Sequence, residues 1–99
     1  MENPTPSRLK SARKAAGLTQ QQLGMALGME PNTASARMNQ YEKGKHAPDF
    51  LTMKRIAKEL DVPVAYFYCE EDVLSELICT LGKLSSTDQK ELLMKLKEK

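Results

Sequence analysis

The sequence predicts an all-α protein. Val, Ile and Thr are sparse, and no stretch shows the alternation of apolar and polar residues that a half-buried strand needs. Apolar residues recur instead at helical spacing, in segments that glycine, proline and capping residues separate. The chain has 99 residues, 40% of them apolar, so we expect a unit of ordinary domain size with a single core.

Three helices are expected in the first half of the chain. Ser7 is placed to cap a first helix from about residue 8 to residue 16, which Gly17 ends. Thr19 is placed to cap a second helix, and a third covers part of ASARMNQYEKGKHAPD and ends at Gly44. The residues expected to face the core are Leu9, Ala12 or Ala16, Leu23, Ala26, Leu27, Ala34, Met38 and Tyr41.

The second half predicts two more helices and an amphipathic tail. Pro48 and Asp49 open a fourth helix, and Pro63 begins a short fifth, PVAYFY. The tail has one helical segment from about residue 70 to residue 83 and another that follows Ser86-Thr87-Asp88. A loop of about three residues joins these segments, which predicts an antiparallel helical pair.

The third helix has one polar face. At about 100° per residue, Ala36, Asn39, Gln40 and Lys43 fall opposite the apolar stripe, with Arg37 at the edge and long enough to reach round. Amide and guanidinium forks can bond two atoms of one base pair in the major groove, and basic residues at the helix end can meet phosphates. From these residues alone, the helix is either a DNA-reading helix or an ordinary solvated surface helix.

The neighbouring segments carry a resemblance to a known family. The chain resembles the phage-repressor-type helix-turn-helix family, also called the xenobiotic-response-element family. The matching order is LTQQQLGMALG, a turn, a helix ending MNQYEKGKHAPD and an amphipathic helix ending ELDVP. The resemblance covers residues 7 to about 67 and implies a repressor-like five-helix domain whose second and third helices bind DNA. It rests on the combination of Thr19-Gln20, Leu23, Gly28, Tyr41-Glu42, Gly44-Lys45 and Pro48.

The resemblance implies roles for individual residues. The positions matching base-reading residues are Ser35, Ala36, Arg37 and Gln40, where Ala36 offers apolar contact in place of the polar residue often found there. Asn39 joins the expected base-reading residues from its place on the polar face of the helix. The residues expected to meet the DNA backbone are Thr19, Gln20, Lys43, Lys45 and His46. Gln20 is similar to the family's helix-start glutamine, which bonds a phosphate and braces the reading helix. His46 either contacts a phosphate or lies in solvent.

Arg13 and Glu42 match a pair that often forms an ion bridge between the first and third helices of the family. The alternative is two independent surface charges.

One feature departs from the family pattern. Gly28 and Glu42 are fourteen positions apart, about four more than most members use, and four residues add roughly one helical turn plus 40°. The extra residues either lengthen the third helix, with Pro31 at its first turn or Asn32 as its cap, or lengthen the turn before Ser35. The long form resembles controller proteins of restriction–modification systems and related small bacterial regulators.

Charge and cysteine content bound the function further. Residues 1–48 carry a net charge of +4 and residues 49–99 carry −2, which fits either a polyanion-binding front face or chance scatter. Cys69 and Cys79 lack metal-ligand companions, and a single histidine, no Gly-rich phosphate loop and no clustered carboxylates predict neither an enzyme nor a cofactor or metal site. MENPTPSRLK lacks a signal-peptide core and no run is long enough to span a membrane, so we expect a cytoplasmic protein with no membrane partner.

These observations favour a sequence-specific transcriptional regulator that binds a near-palindromic operator on double-stranded DNA as a homodimer. Residues 1–68 are expected to form the DNA-binding domain, and residues 69–99 a C-terminal dimerisation segment. The expected dimer interface consists of Leu74, Leu77, Ile78, Leu81, Leu92, Leu93 and Leu96. The alternative is an antitoxin-like or adaptor protein whose tail binds a protein partner, which a tail without a partner helix of its own would favour.

Overall fold

The computed structural model describes residues 3–99 and confirms the all-α class. Its elements are α1 (Thr5–Ala15), α2 (Gln20–Ala26), α3 (Pro31–Glu42), α4 (Phe50–Leu60), a 3-10 helix (Val64–Tyr68), α5 (Asp72–Gly82) and α6 (Ser86–Lys97). None of the helices within residues 3–99 is long and apolar enough to cross a bilayer.

Capping side chains explain the starts of α2, α4 and α6. Thr19 and Gln22 form a reciprocal capping box at the start of α2, and the Asp49 carboxylate accepts a hydrogen bond from the Thr52 N–H at the start of α4. The expected Ser7 cap is wrong, because α1 begins at Thr5, ahead of Ser7. A proline in the first turn has its φ already set for a helix, and that preference extends α1 toward the N-terminus.

Helix α3 begins one turn earlier than Ser35. Pro31 is its first residue and Glu30 its N-cap, so the extra residues lengthen the helix rather than the turn, and Asn32 is not a cap. At the other end, the N–H of Lys45 donates to the carbonyl of Gln40 at 2.9 Å, and the N–H of Gly44 donates to Tyr41 at 3.2 Å. This Schellman turn requires the left-handed φ of 75° at Gly44 and folds the basic residues back beside α3.

The core lies where α1 to α4 meet the 3-10 helix. Its fully buried apolar side chains are Leu9, Leu23, Ala34, Met38, Met53, Ile56 and Phe67. Ala16 and Ala26 are exposed, so Ala12 is the inward-facing alanine of α1 and the stripe of α2 is narrower than its spacing predicts. Helices α2 and α3 share the most extensive packing, and α1 packs against both α3 and the 3-10 helix.

The two tail helices differ in how they pack. Helix α5 lies against the 3-10 helix, with Ser75 buried and Ile78 half-buried. Helix α6 has no buried residue, and the molecule measures 52 × 30 × 22 Å along its principal axes. The expected compact pair is therefore wrong: the short loop is present, but α6 does not pack along α5.

Candidate DNA-binding surface

The contact between α2 and α3 depends on a glycine. A Cβ atom at Gly24 would lie 2.6 Å from the Cβ of Ala34 and 3.0 Å from its Cα and carbonyl oxygen. Helix backbone cannot move aside as a flexible side chain can, so the helices approach this closely only without a side chain at position 24. A glycine inside an apolar helical pattern is the sequence signal for such an approach.

The turn between α2 and α3 is attached to α4. The Nη2 atom of Arg55 donates a hydrogen bond to the carbonyl of Leu27, the last residue before Gly28. The residue pattern contains no signal for this contact, because a single arginine on a solvated helix face is ordinary.

An ion pair joins α1 to the end of α3. The Nε and Nη2 atoms of Arg13 donate to the two carboxylate oxygens of Glu42 at 2.6 and 3.1 Å, and Nη1 donates to the Leu18 carbonyl at 2.8 Å. The side chains are 11% and 3% exposed, so this is not a pair of independent surface charges. The hydrogen bond to Glu42 is the main cause of the raised pKa of Arg13 and outweighs the effect of burial.

Gln20 connects this ion pair to the polar face of α3. Its side-chain amide donates to Glu42 at 3.1 Å and to the Asn39 oxygen at 3.3 Å, and its own oxygen accepts from the Ser35 hydroxyl at 3.5 Å. The start of α2 is thereby held against two turns of α3. Gln20 braces the helix through these contacts, which the spacing of residues alone does not predict.

The exposed face of α3 presents most of the predicted reading residues. Ser35, Ala36 and Arg37 are exposed, while Asn39 and Gln40 are half-buried. Arg37, Gln40 and His46 line one surface depression together with Tyr41 and Ala47. The structure thus brings His46, from the loop after α3, beside two side chains of the helix.

The charge of this surface is positive. Between Pro31 and Pro48 the chain has one acidic residue, Glu42, and Arg13 neutralises its carboxylate. Arg37, Lys43 and Lys45 are exposed on or directly after α3. A surface of this kind attracts a polyanion and leaves no unpaired carboxylate to repel phosphates.

Of the remaining polar candidates, one also caps a helix and another is a thiol in an unreactive setting. Thr19 is exposed, but its hydroxyl accepts a hydrogen bond from the Gln22 N–H as part of the capping box. Burial raises the pKa of the free Cys79 thiol, which disfavours the reactive thiolate. Within residues 3–99, no group of His, Cys, Asp and Glu is arranged to hold a metal ion.

The fold and this surface define a helix-turn-helix protein: two short helices packed closely, the second with an exposed cationic face. Residues 9–67 match the Helix-turn-helix family, and the chain belongs to that family, in its xenobiotic-response-element type. Among solved structures, the chain is similar to the crystal structure of the transcriptional regulator BswR. The two share 47% sequence identity with a TM-score of 0.90, over 95% of this chain and 93% of that chain. No curated protein matches the chain.

Proposed function

We propose that this protein is a sequence-specific transcriptional regulator that binds a near-palindromic operator as a homodimer, with α3 in the major groove. The observation that carries the proposal is the exposed cationic face of α3, which α1 and α2 brace from behind through Arg13, Gln20 and Glu42. Rigid support of this kind keeps a helix in register with base edges. The similarity to the transcriptional regulator BswR supports the same function.

Base reading is assigned to the outer face of α3. Arg37 and Gln40 carry planar donor arrays that match guanine and adenine in the major groove. Ala36 offers its methyl group to a thymine methyl, and Ser35 and Asn39 supply further polar contacts, although both also bond Gln20. We assign five residues to the DNA backbone, because they lie at the start of α2 or just beyond the end of α3: Thr19, Gln20, Lys43, Lys45 and His46.

The tail supplies the proposed dimer interface. Leu74 and Leu77 on α5 are 45% and 48% exposed, and Leu93 and Leu96 on α6 are 52% and 53% exposed. An isolated 12-residue helix is marginal in water, and α6 has no fully buried residue within residues 3–99, so a second surface is needed to stabilise it. A second copy provides that surface and also supplies the second reading helix. The DNA-binding domain, residues 1–68, and the tail, residues 69–99, then divide the two tasks.

Two narrower functions extend the proposal. Repression follows when the operator overlaps a promoter, and the long α3 supports a kinship with restriction–modification controllers and related small regulators. Repression depends on where the operator lies, which can be found by searching for the selected binding sequence.

Selection of bound fragments from random DNA tests the proposal directly. We expect a sequence with two-fold symmetry whose half-site centres lie about 10 base pairs, or a multiple of this, apart. The dissociation constant should rise between about 50 and 200 mM salt, with a log–log slope near −0.9 per phosphate neutralised. Affinity that is independent of salt would contradict DNA binding, and an asymmetric single site would contradict the homodimer.

One observation favours a second candidate, an antitoxin-like or adaptor protein. Within the described residues 3–99, no apolar side chain of α6 is fully buried against another helix. Sedimentation of the purified full chain separates the alternatives: a discrete dimer supports the regulator, whereas aggregation through an unsatisfied tail supports the adaptor.

A further inference from the structure

Arg8 holds the segment that leads from the DNA-binding helices into the tail. Its Nε atom donates to the carbonyl of Cys69 at 3.1 Å, and its Nη2 atom donates to the carbonyl of Glu70 at 3.3 Å. Both carbonyls lie between the 3-10 helix and α5, more than sixty positions away along the chain. One guanidinium therefore sets the path of the backbone just before α5 begins.

The surroundings of Arg8 keep its side chain in place. The guanidinium carbon lies 5.8 Å from the ring centroid of Tyr66, in range for a cation–π interaction. One turn earlier on α1, the buried Thr5 hydroxyl donates to the carbonyl of Phe67 at 3.0 Å. The planar fork of arginine can reach two successive carbonyls at once, which the single ammonium group of lysine cannot do with the same geometry.

The ion pair of Arg8 matters less than these carbonyl contacts. The Nη2 atom of Arg8 lies 3.0 Å from a carboxylate oxygen of Asp72, but the Asp72 side chain is 91% exposed. Ion pairs this exposed contribute little, because water and salt screen them. Substituting Asp72 is therefore the matched control for substituting Arg8.

The same helix holds the reading helix. Five residues after Arg8, Arg13 grips Glu42 at the end of α3, so α1 is bonded to the tail at one position and to α3 at another. The far end of α5 has its own fixed point: a Cβ at Gly82 would lie 2.7 Å from Pro63. Losing Arg8 would loosen the segment just before α5, while the buried Ser75 and the end of α5 stay packed.

We infer that Arg8 is a positioning residue that sets the angle between α5 and α3, and through it the half-site spacing that the dimer accepts. The inference rests on the proposed function, in which α5 and α6 join two copies and each α3 reads one half-site. With the hydrogen bonds from Arg8 to Cys69 and Glu70 intact, the two reading helices of the dimer lie at one fixed separation. Without these hydrogen bonds, each copy still reads its half-site, but the dimer binds operators with several different half-site spacings.

The test uses the full chain and the selected operator, its single half-site, and operators with one or two base pairs added or removed between half-sites. We expect the wild type to bind the selected spacing about tenfold or more tightly than the altered ones. Arg8→Gln should reduce that ratio to about threefold or less while half-site affinity stays within about twofold. Asp72→Asn should behave as wild type, and Arg8→Lys should fall between wild type and Arg8→Gln.

Three results would overturn the inference. The first is an unchanged spacing preference in Arg8→Gln, and the second is an equal loss of half-site and full-site affinity, which marks a purely structural role. The third is a wild type without any spacing preference, which contradicts the proposed dimer itself and so differs from the first two. If Arg8→Gln does not fold, Gly82→Ala perturbs the other end of α5 and should shift the preferred spacing; an unchanged preference there also counts against the inference.

Discussion

Arg13 on α1 and Glu42 on α3 meet through two hydrogen bonds of 2.6 and 3.1 Å, in a setting where both side chains are almost fully covered. Neither partner can be removed without leaving the other poorly solvated. The pair thus ties the end of α3, the proposed reading helix, to α1, which also contacts the tail.

Removing one partner of this pair should destabilise the fold. We expect Arg13→Ala to lower the free energy of unfolding by about 3 kcal/mol, because the Glu42 carboxylate loses its counter-charge while still covered. Urea unfolding followed by circular dichroism measures this. Lys14→Ala, at the adjacent exposed position, should change stability by less than about 0.5 kcal/mol; equal losses in both variants would contradict the assigned importance of the pair.

Gly24→Ala should destabilise the protein although alanine favours helix. The new Cβ would lie 2.6 Å from the Cβ of Ala34, and overpacking of this kind costs about 1–3 kcal/mol, more than the gain of up to about 1 kcal/mol in helix propensity. Operator affinity should fall as well, since α3 must move. An unchanged thermal midpoint would contradict this prediction, because it would mean that α2 and α3 make room for the new methyl group without loss of stability.

Arg37 and Gln40 should set base preference, whereas Lys45 should not. We expect Arg37→Ala and Gln40→Ala each to lower the binding free energy to the preferred base by about 1–3 kcal/mol. Each variant should also discriminate less among bases at one operator position. Lys45→Ala should weaken all sequences about equally and lower the salt slope by about one. Titration on the operator and on its single-base variants checks this, and a change of base preference in Lys45→Ala alone would reverse the assignment.

The start of α4 should contribute stability that depends on pH. Hydrogen bonding to Thr52 lowers the pKa of the Asp49 carboxyl below its ordinary 3.8. A lowered folded-state pKa adds stability that is present above the unfolded-state value and is lost as the pH falls through the folded-state value. The stability of wild type relative to Asp49→Asn, measured by urea midpoint, should therefore decline in acid. Glu59→Gln, an exposed change in the same helix, is the control; a pH-independent difference for Asp49→Asn would refute the claim.

The proposed homodimer should dissociate when the exposed leucines of α6 become charged. Leu93→Glu combined with Leu96→Glu should yield monomers in sedimentation without loss of helical folding in the rest of the chain, because α6 buries no residue within its own chain. Thr87→Glu adds charge at an exposed position of the same helix and should leave the dimer intact. A dimer that persists in the double variant would place the interface elsewhere.

Periodicity predicts the inner face of α3 correctly, since Ala34 and Met38 are fully buried. Capping rules likewise locate the starts of α2 and α4. The Ser7 cap fails because a nearby proline determines where α1 begins. These are local effects, and local sequence carries most of the information about them.

Contacts from side chains to distant backbone carbonyls could not be predicted from the residue pattern. Arg8 donates a hydrogen bond to the Cys69 carbonyl, and Arg55 donates one to the Leu27 carbonyl. Both arginines are of a residue type that is common on protein surfaces. Carbonyls have no sequence signature, so such contacts need the fold. For the tail, the pattern predicts a contact that the structure lacks, the compact pair of α5 and α6. Amphipathicity identifies an apolar face but does not say whether the same chain covers it.

The division of α3 into an inner and an outer face bears on how new specificities could arise. Ala34 and Met38 hold the helix in the core, while Ala36 and Arg37 project into solvent. Substitutions at the two outer positions should therefore alter the preferred DNA sequence at little cost to folding, as surface changes usually do. Duplicated copies of the gene could diverge in target by changes at these positions while keeping one scaffold. The same independence makes Ala36 and Arg37 the first positions to randomise when engineering the protein toward a chosen operator.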